Sequence, residues 1–269
     1  MLDLTTSVIR NLDLGHGNYL IEFGVPESIQ QMKPAQFFMI GTPGSEPLLR
    51  RPYSVCGLAG TFPDGPKDCA QVLYKVYGKG TRLLSGLGKG AELKVLGPLG
   101  NGFELPRAAE RKALLVAGGI GSAPFPLFIQ HLIAAGHDTP RMIYGARSQG
   151  DLPLLSWFRD CCEEVLVTSD DGSIGEAGRV TQPLERILES GEGERLHLYV
   201  CGPDPMLHAV AALAGRYDVP CDLALEAPMA CGFGVCLGCV VPVYGEDGEV
   251  HYERVCVDGP VMPAQRMAW

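Results

Sequence analysis

The chain has 269 residues, 46% of them hydrophobic, which is enough for two core-bearing domains with a small appendage. A formal net charge of −9 argues against a nucleic-acid-binding surface and favours a protein or small-molecule partner. Ten cysteines would suit disulfides in a secreted chain, but the start, Met-Leu-Asp-Leu-Thr-Thr-Ser, has no basic stretch followed by an apolar one, so a reducing compartment, the cytosol, is expected.

From residue 1 to about 103, β-rich runs at 18–23, 36–40 and 71–77 alternate with Gly and Pro clusters, a pattern that predicts an antiparallel barrel. Two short motifs there carry chemistry. In Arg51-Pro52-Tyr53-Ser54 an arginine can pair with a pyrophosphate, a tyrosine can stack on an isoalloxazine ring, and a serine hydroxyl can bond near the flavin N5. The plainer reading is a surface arginine beside a packed strand. Lys75-Val-Tyr-Gly-Lys-Gly-Thr81 offers glycine amides, a lysine and a hydroxyl in one turn, as a phosphate cradle requires, although an ordinary hairpin would read the same.

Between residues 104 and 222 the pattern changes. Apolar strands expected at 112–117, 141–145, 164–168 and 196–200 alternate with helices at 125–135, 182–189 and 205–216, which predicts a parallel sheet with helices on both faces. Residues 113–136 lack Asp, Glu, Lys and Arg, yet their glycines and prolines read as strand, turn and helix rather than a membrane span. Ala117-Gly-Gly-Ile-Gly-Ser-Ala-Pro124 joins a strand to a helix, where bare backbone can meet a pyrophosphate, but Pro124 takes the place of the third glycine of the dinucleotide fingerprint. Thr168-Ser-Asp-Asp-Gly-Ser and Cys201-Gly-Pro-Asp-Pro-Met206 follow other strands on the edge where such sheets bind ligands. Gly118, Gly119, Gly121, Asp170, Gly202 and Pro203 are therefore candidate dinucleotide contacts, with plain connecting turns and helix capping as the alternative.

Residues 223–269 hold Cys231-Gly-Phe-Gly-Val-Cys236-Leu-Gly-Cys239 and a distant Cys256, followed and preceded by runs that suggest a small hairpin. Three thiolates from one tight loop and a fourth from elsewhere suit a [2Fe-2S] cluster, with Gly232, Gly234 and Gly238 allowing positive φ and bringing N–H groups to the sulfurs. Structural zinc is the rival, but its sites pair two short cysteine knuckles. Cys56, Cys69, Cys161, Cys162, Cys201 and Cys221 are scattered and read as small apolar packing groups.

Arg-Pro-Tyr-Ser, Gly-Gly-Ile-Gly-Ser-Ala-Pro and Cys-Gly-Pro-Asp-Pro-Met in this order resemble the ferredoxin–NADP reductase superfamily. The run from Glu226 to Cys239 together with Val255-Cys-Val-Asp-Gly-Pro-Val-Met262 resembles the electron-transfer subunits of class 1B dihydroorotate dehydrogenases, over essentially the whole chain. Plant-type ferredoxins differ, since only 16 residues separate Cys239 from Cys256. The resemblance implies an FAD-binding β-barrel (1–103), an NAD-binding α/β domain (104–222) and a [2Fe-2S] segment (223–269) held by Cys231, Cys236, Cys239 and Cys256. It implies that Arg51, Pro52, Tyr53, Ser54, Leu73, Tyr74, Lys75, Gly80 and Thr81 hold FAD and that Cys201 lies near the nicotinamide. It further implies a hetero-oligomer, a heterotetramer, with an FMN-containing catalytic subunit that oxidises dihydroorotate in pyrimidine synthesis, with NAD+ as acceptor.

From the residues alone NAD and NADP stay open, because Arg147 could reach a 2′-phosphate while Asp151 or Asp170 could repel one. Two other readings remain: an FAD/[2Fe-2S] subunit of an NADH-dependent ferredoxin–NADP reductase, sulfide dehydrogenase or hydrogenase complex, and a non-enzymatic zinc-stabilised scaffold. If the cysteine loop docks a partner, Phe233 and Leu237 are expected to supply contact area or to shield the cluster from water.

Overall fold

The computed structural model describes residues 1–44, 47–62, 65–106 and 111–269. Six strands, β1 (Leu2–Gly15), β2 (Asn18–Gly24), β3 (Phe37–Gly41), β4 (Arg51–Ser54), β5 (Cys69–Lys75) and β6 (Glu92–Leu99), pair antiparallel in the order β4-β3-β6-β1-β2-β5. The ends meet just beyond β4, where the Cys56 N–H donates to Gln71 O at 2.8 Å and the Gln71 N–H to Gly57 O at 2.8 Å. This closing contact leaves little open edge to the barrel. Inward residues such as Ile21, Phe23, Phe38, Val72 and Val95 form its core. Among the described residues one charged group is buried with them: Glu22, 1% exposed, accepts from Arg10 and from Gln71. A short helix, α1 (Lys79–Ser85), follows β5.

The parallel strands of the second sheet are β7 (Lys112–Gly118), β8 (Arg141–Ala146), β9 (Glu164–Ser169), β10 (Glu176–Ala177), β11 (Leu196–Cys201) and β12 (Cys221–Ala224). The sheet has the order β10-β9-β8-β7-β11-β12, with β15 (Val261–Pro263) antiparallel beyond β12. Helices α2 (Phe125–Ala134), α3 (Leu155–Cys161), α4 (Thr181–Glu189) and α5 (Asp204–Arg216) cover it. Alternation along β7 divides the core: Leu115 packs with Phe125, Phe128 and Phe158 on one face, and Leu114 and Val116 with Leu184 and Val210 on the other. Helices on both faces are thus present, as expected. The uncharged stretch resolves into β7, a single turn and α2. Among the described residues no helix is long and apolar enough to cross a membrane.

The C-terminal hairpin is formed by β13 (Val240–Tyr244) and β14 (Val250–Arg254). After it, β15 (Val261–Pro263) returns antiparallel to β12 and extends the large sheet. The cut at 222/223 falls inside β12, so the cysteine segment is continuous with the sheet in hydrogen bonding. It is also tied to the barrel. The Asn101 side chain donates to Asp258 O at 3.0 Å and Val261 O at 2.9 Å and accepts the Val261 N–H at 2.9 Å. Gly232 lies so close to Met39 of β3 that a Cβ there would stand 2.5 Å from its Cγ. Sequence periodicity names neither β1 nor β6 nor β15. β1 is long and bent at two register shifts, and β15 is too short to show a period.

Candidate functional site

Two adjoining clefts open where the barrel, the sheet and the C-terminal segment meet. The first, about 530 Å³, is lined by Pro52, Tyr53 and Ser54 of β4, by Leu73, Tyr74 and Lys75 of β5, and by Thr81 of α1. Cys201 and Gly202 face them from the end of β11, and Glu226, Met229 and Pro260 close the cleft from the C-terminal segment. Burial pushes the Tyr53 hydroxyl up to about 12 although Arg51 works against it, so the ring faces the cleft as a neutral aromatic surface. Tyr74 supports it edge-on at 6.1 Å, and Tyr74 is itself stacked on Tyr19 and held by Asn11 through a 3.0 Å hydroxyl bond. Leu73 and Tyr74 are core residues whose cleft-facing edges border the site.

Residues 75–81, expected as a phosphate-holding turn, run from the end of β5 into the first turn of α1. Thr81 Oγ1 accepts the N–H groups of Tyr77 at 2.9 Å and Gly78 at 3.1 Å, which caps α1. Gly80 is glycine because the Arg51 guanidinium rests on it: a Cβ would lie 2.7 Å from Arg51 Nε. Arg51 and the first turn of α1 are thereby brought together, though of these residues only Thr81 lines the first cleft.

The second cleft, about 670 Å³, runs along the carboxyl ends of β7, β8, β9 and β11. The neighbour of β7 changes there from β8 to β11, a reversal of strand order that opens a crevice. Gly118, Gly119, Gly121, Gly202, Pro203 and Asp170 all line it. The glycines have a packing cause as well as a binding one. A Cβ on Gly121 would lie 2.5 Å from Cys201 O, and one on Gly118 would lie 2.7 Å from Met206 Sδ, so only bare backbone lets the two loops touch. Gly119 differs, with φ +54° and no such crowding. Tyr144 braces this loop: its hydroxyl lies 2.8 Å from Ser122 Oγ, 3.1 Å from Gly119 O and 2.9 Å from Pro153 O. Thr168 Oγ1 is buried at the cleft wall without a partner among the described residues, so a ligand hydroxyl or amide there would satisfy it.

Lys75, Gly121, Gly202 and Glu226 line both clefts. The Lys75 ammonium is ion-paired with Asp151, which also faces Arg147 at 3.6 Å. Asp151 is thus occupied, while Asp170 is exposed on the rim of the second cleft, which Glu226 also lines. Ser54 and Cys201 share the first cleft. Burial, with the charge of Glu226 nearby, pushes the Cys201 thiol up, which makes it a neutral neighbour rather than a nucleophile. Glu226 was not among the expected site residues. It opens to the cleft, yet the protein packed around it and the Asp204 carboxylate push its own carboxyl up. A signal existed, because it is the acidic residue heading the run into the cysteine loop.

In that loop positive φ falls at Gly232, Gly234 and Leu237, not at Gly238 as expected. A Cβ on Gly238 would sit at ordinary contact distance, 3.6 Å, from Cys236 Sγ, so neither φ nor crowding requires glycine there. Among the described residues no three His, Cys, Asp or Glu side chains gather about one point as a single ion requires. All four thiols interact: the Cys236 N–H lies 3.5 Å from Cys231 Sγ, and Cys256 is influenced by both Cys239 and Cys231. Four cysteine thiols in one neighbourhood are the donor set of a binuclear iron–sulfur cluster. Desolvation opposes ionisation of Cys231, but N–H groups of Cys236, Phe233 and Val235 outweigh it and bring the thiol down to about 6. The Val255 N–H to Cys239 O bond at 3.0 Å locks the fourth cysteine beside the loop.

Residues 226–268 match the sequence model of the iron-sulfur cluster binding domain of dihydroorotate dehydrogenase B, and residues 115–212 match that of the oxidoreductase NAD-binding domain. The electron transfer subunit of dihydroorotate dehydrogenase B (NAD(+)) from Desulforamulus reducens is 34% identical over 93% of this chain and 92% of its own length. That from Listeria innocua is 36% identical over the full length of both. The chain belongs to this family of electron transfer subunits. A solved NADH-dependent reduced ferredoxin-NADP oxidoreductase superposes with a TM-score of 0.81 at 27% identity, covering 98% of this chain and 90% of the other. Family membership accounts for the clefts together: an FAD-binding barrel, an NAD-binding sheet and an iron–sulfur segment. It sets aside the zinc scaffold. The iron–sulfur match begins at Glu226 itself and spans all four loop and hairpin cysteines.

Proposed function

We propose that this chain is the electron-transfer subunit of an NAD+-linked dihydroorotate dehydrogenase, partnered by an FMN-containing catalytic subunit in the cytoplasm and serving pyrimidine biosynthesis. The observation that carries the reading is that one cleft system touches all three parts of the chain, with Ser54 and Cys201 facing the same cavity and the cysteine segment forming its wall. Overall, dihydroorotate and NAD+ become orotate, NADH and a proton. FAD bound here supplies the exchange between single-electron traffic and hydride transfer, which neither a cluster nor a nicotinamide performs alone.

The residues would divide the work as follows. Arg51 with Gly80 and Thr81 binds the flavin pyrophosphate, Tyr53 with Pro52 covers the ring, and Ser54 bonds at its reacting edge. Leu73, Tyr74 and Lys75 border the other side. Gly118, Gly119, Gly121, Gly202 and Pro203 admit the dinucleotide backbone, Asp170 meets the ribose, and Cys201 packs beside the nicotinamide. Cys231, Cys236, Cys239 and Cys256 hold the [2Fe-2S] cluster. Phe233, Val235 and Leu237, 45%, 74% and 60% exposed around the thiols, form an apolar collar suited to the catalytic subunit. No two of the ten cysteines are joined in a disulfide, in keeping with a reducing compartment.

The test is dihydroorotate-dependent NADH formation by the complex that the chain forms in its native cells, compared with the anaerobically isolated chain. Activity only in the complex supports the proposal. A complex inactive with dihydroorotate, whose flavin NADH still bleaches, would favour a ferredoxin–NADP reductase-type subunit, the reading encouraged by the 0.81 TM-score to that enzyme.

A further inference from the structure

Arg254 ends β14 opposite Val240, the residue after Cys239, and precedes Cys256 by two positions. Asp258 clamps one edge of its guanidinium, with Nε to Oδ2 at 3.0 Å and Nη2 to Oδ1 at 3.2 Å, and also accepts the Arg254 N–H at 2.9 Å. Held this way, the free edge turns to the cysteine loop. Nη1 lies 3.5 Å from Gly234 O, and a Cβ on Gly234 would come within 3.1 Å of it. Gly234 stands between Cys231 and Cys236, so one fixed cation bridges the loop bearing three thiols and the segment bearing the fourth. Arg254 lines neither cleft, and nothing in flavin or dinucleotide binding requires it.

We propose that Arg254 is a tuning residue of the iron–sulfur centre, raising its reduction potential, and that Asp258 moderates the effect from the guanidinium's other edge. This rests on the four cysteines being the cluster ligands. Reduction adds one electron and makes the centre more negative by one charge. A cation fixed against the ligand loop stabilises that state more than the oxidised one. With its side chain 36% exposed and clamped by hydrogen bonds, the guanidinium is partly shielded from water and cannot swing away, so screening weakens the effect without removing it.

The measurement is an EPR-monitored redox titration of the full-length protein in its complex, alongside iron and acid-labile sulfide content. Arg254→Met should move the cluster midpoint to lower potential, Arg254→Lys should keep it near the parent value, and Asp258→Asn should move it higher. An unchanged midpoint in Arg254→Met at full iron content overturns the inference while leaving the cluster assignment intact. A parent protein without iron and sulfide overturns that assignment first. Should Arg254→Met lose iron, Arg254→Gln decides: a lower midpoint at full iron content supports the inference, and an unchanged one refutes it.

Discussion

Lys75 of the barrel and Asp151 of the nucleotide sheet form an ion pair at the junction of the two clefts, with side chains only 11% and 17% exposed. It joins the domain that would carry the flavin to the one that would carry the nicotinamide. Burial disfavours the Asp151 carboxylate, but Lys75, aided by Arg147 and Ser148, holds its carboxyl below the usual range. Asp151→Asn leaves an ammonium without its partner, and a loss of about 2 kcal/mol is expected, less than the ~3–5 kcal/mol of fully buried pairs. A carboxyl depressed on folding adds stability above its unfolded pKa and loses it as pH falls through the lower folded value. Urea titrations should therefore show the parent and Asp151→Asn converging in acid. Parallel curves at every pH would refute the pairing.

Glu226 predicts the opposite sign. Its carboxyl is raised by burial and by Asp204, so the folded state takes up a proton more readily than the unfolded chain, and this residue's unfavourable contribution fades as pH falls. The rate of flavin reduction by NADH should carry an inflection above the normal carboxylate range, and Glu226→Gln should remove it.

Ser54→Ala should retain FAD, because Arg51, Tyr53 and Gly80 remain. Flavin reduction by NADH in stopped flow should slow roughly tenfold to a hundredfold, because a hydrogen bond to developing charge contributes ~1.5–3 kcal/mol and each ~1.4 kcal/mol is a factor of ten. Loss of FAD instead would make Ser54 a binding residue only.

Cys256 is 2% exposed and paired with Cys239. Cys256→Ser should lose iron and the visible cluster absorption, yet keep FAD and NADH-driven ferricyanide reduction while dihydroorotate-dependent NADH formation collapses. Retention of full iron content would remove Cys256 from the ligand set.

Asn101 makes three side-chain hydrogen bonds from the end of the barrel to Asp258 and Val261. Asn101→Ala should cost about 2–3 kcal/mol in thermal or urea unfolding, at about 1 kcal/mol per bond. Since these bonds hold the segment that carries Cys256, cluster loss should precede global unfolding in the variant.

Much of this was legible in the linear chain because it depends on near neighbours. The alternating apolar runs specified a barrel and then a parallel sheet with two covered faces, since a strand or helix buries the side its period selects. The cysteine spacing specified an iron–sulfur loop for the same reason, three ligands lying within nine residues from Cys231 to Cys239. What no local pattern contained was the meeting of distant backbones. Tertiary structure decided that Gly80 makes room for Arg51, that Gly121 makes room for Cys201, and that Glu226 faces both clefts. It also paired Lys75 with Asp151 across the two domains and drew β15 into the sheet. These contacts join residues far apart in the chain, and the close approaches and charges that define them exist only once both packed surfaces are in place.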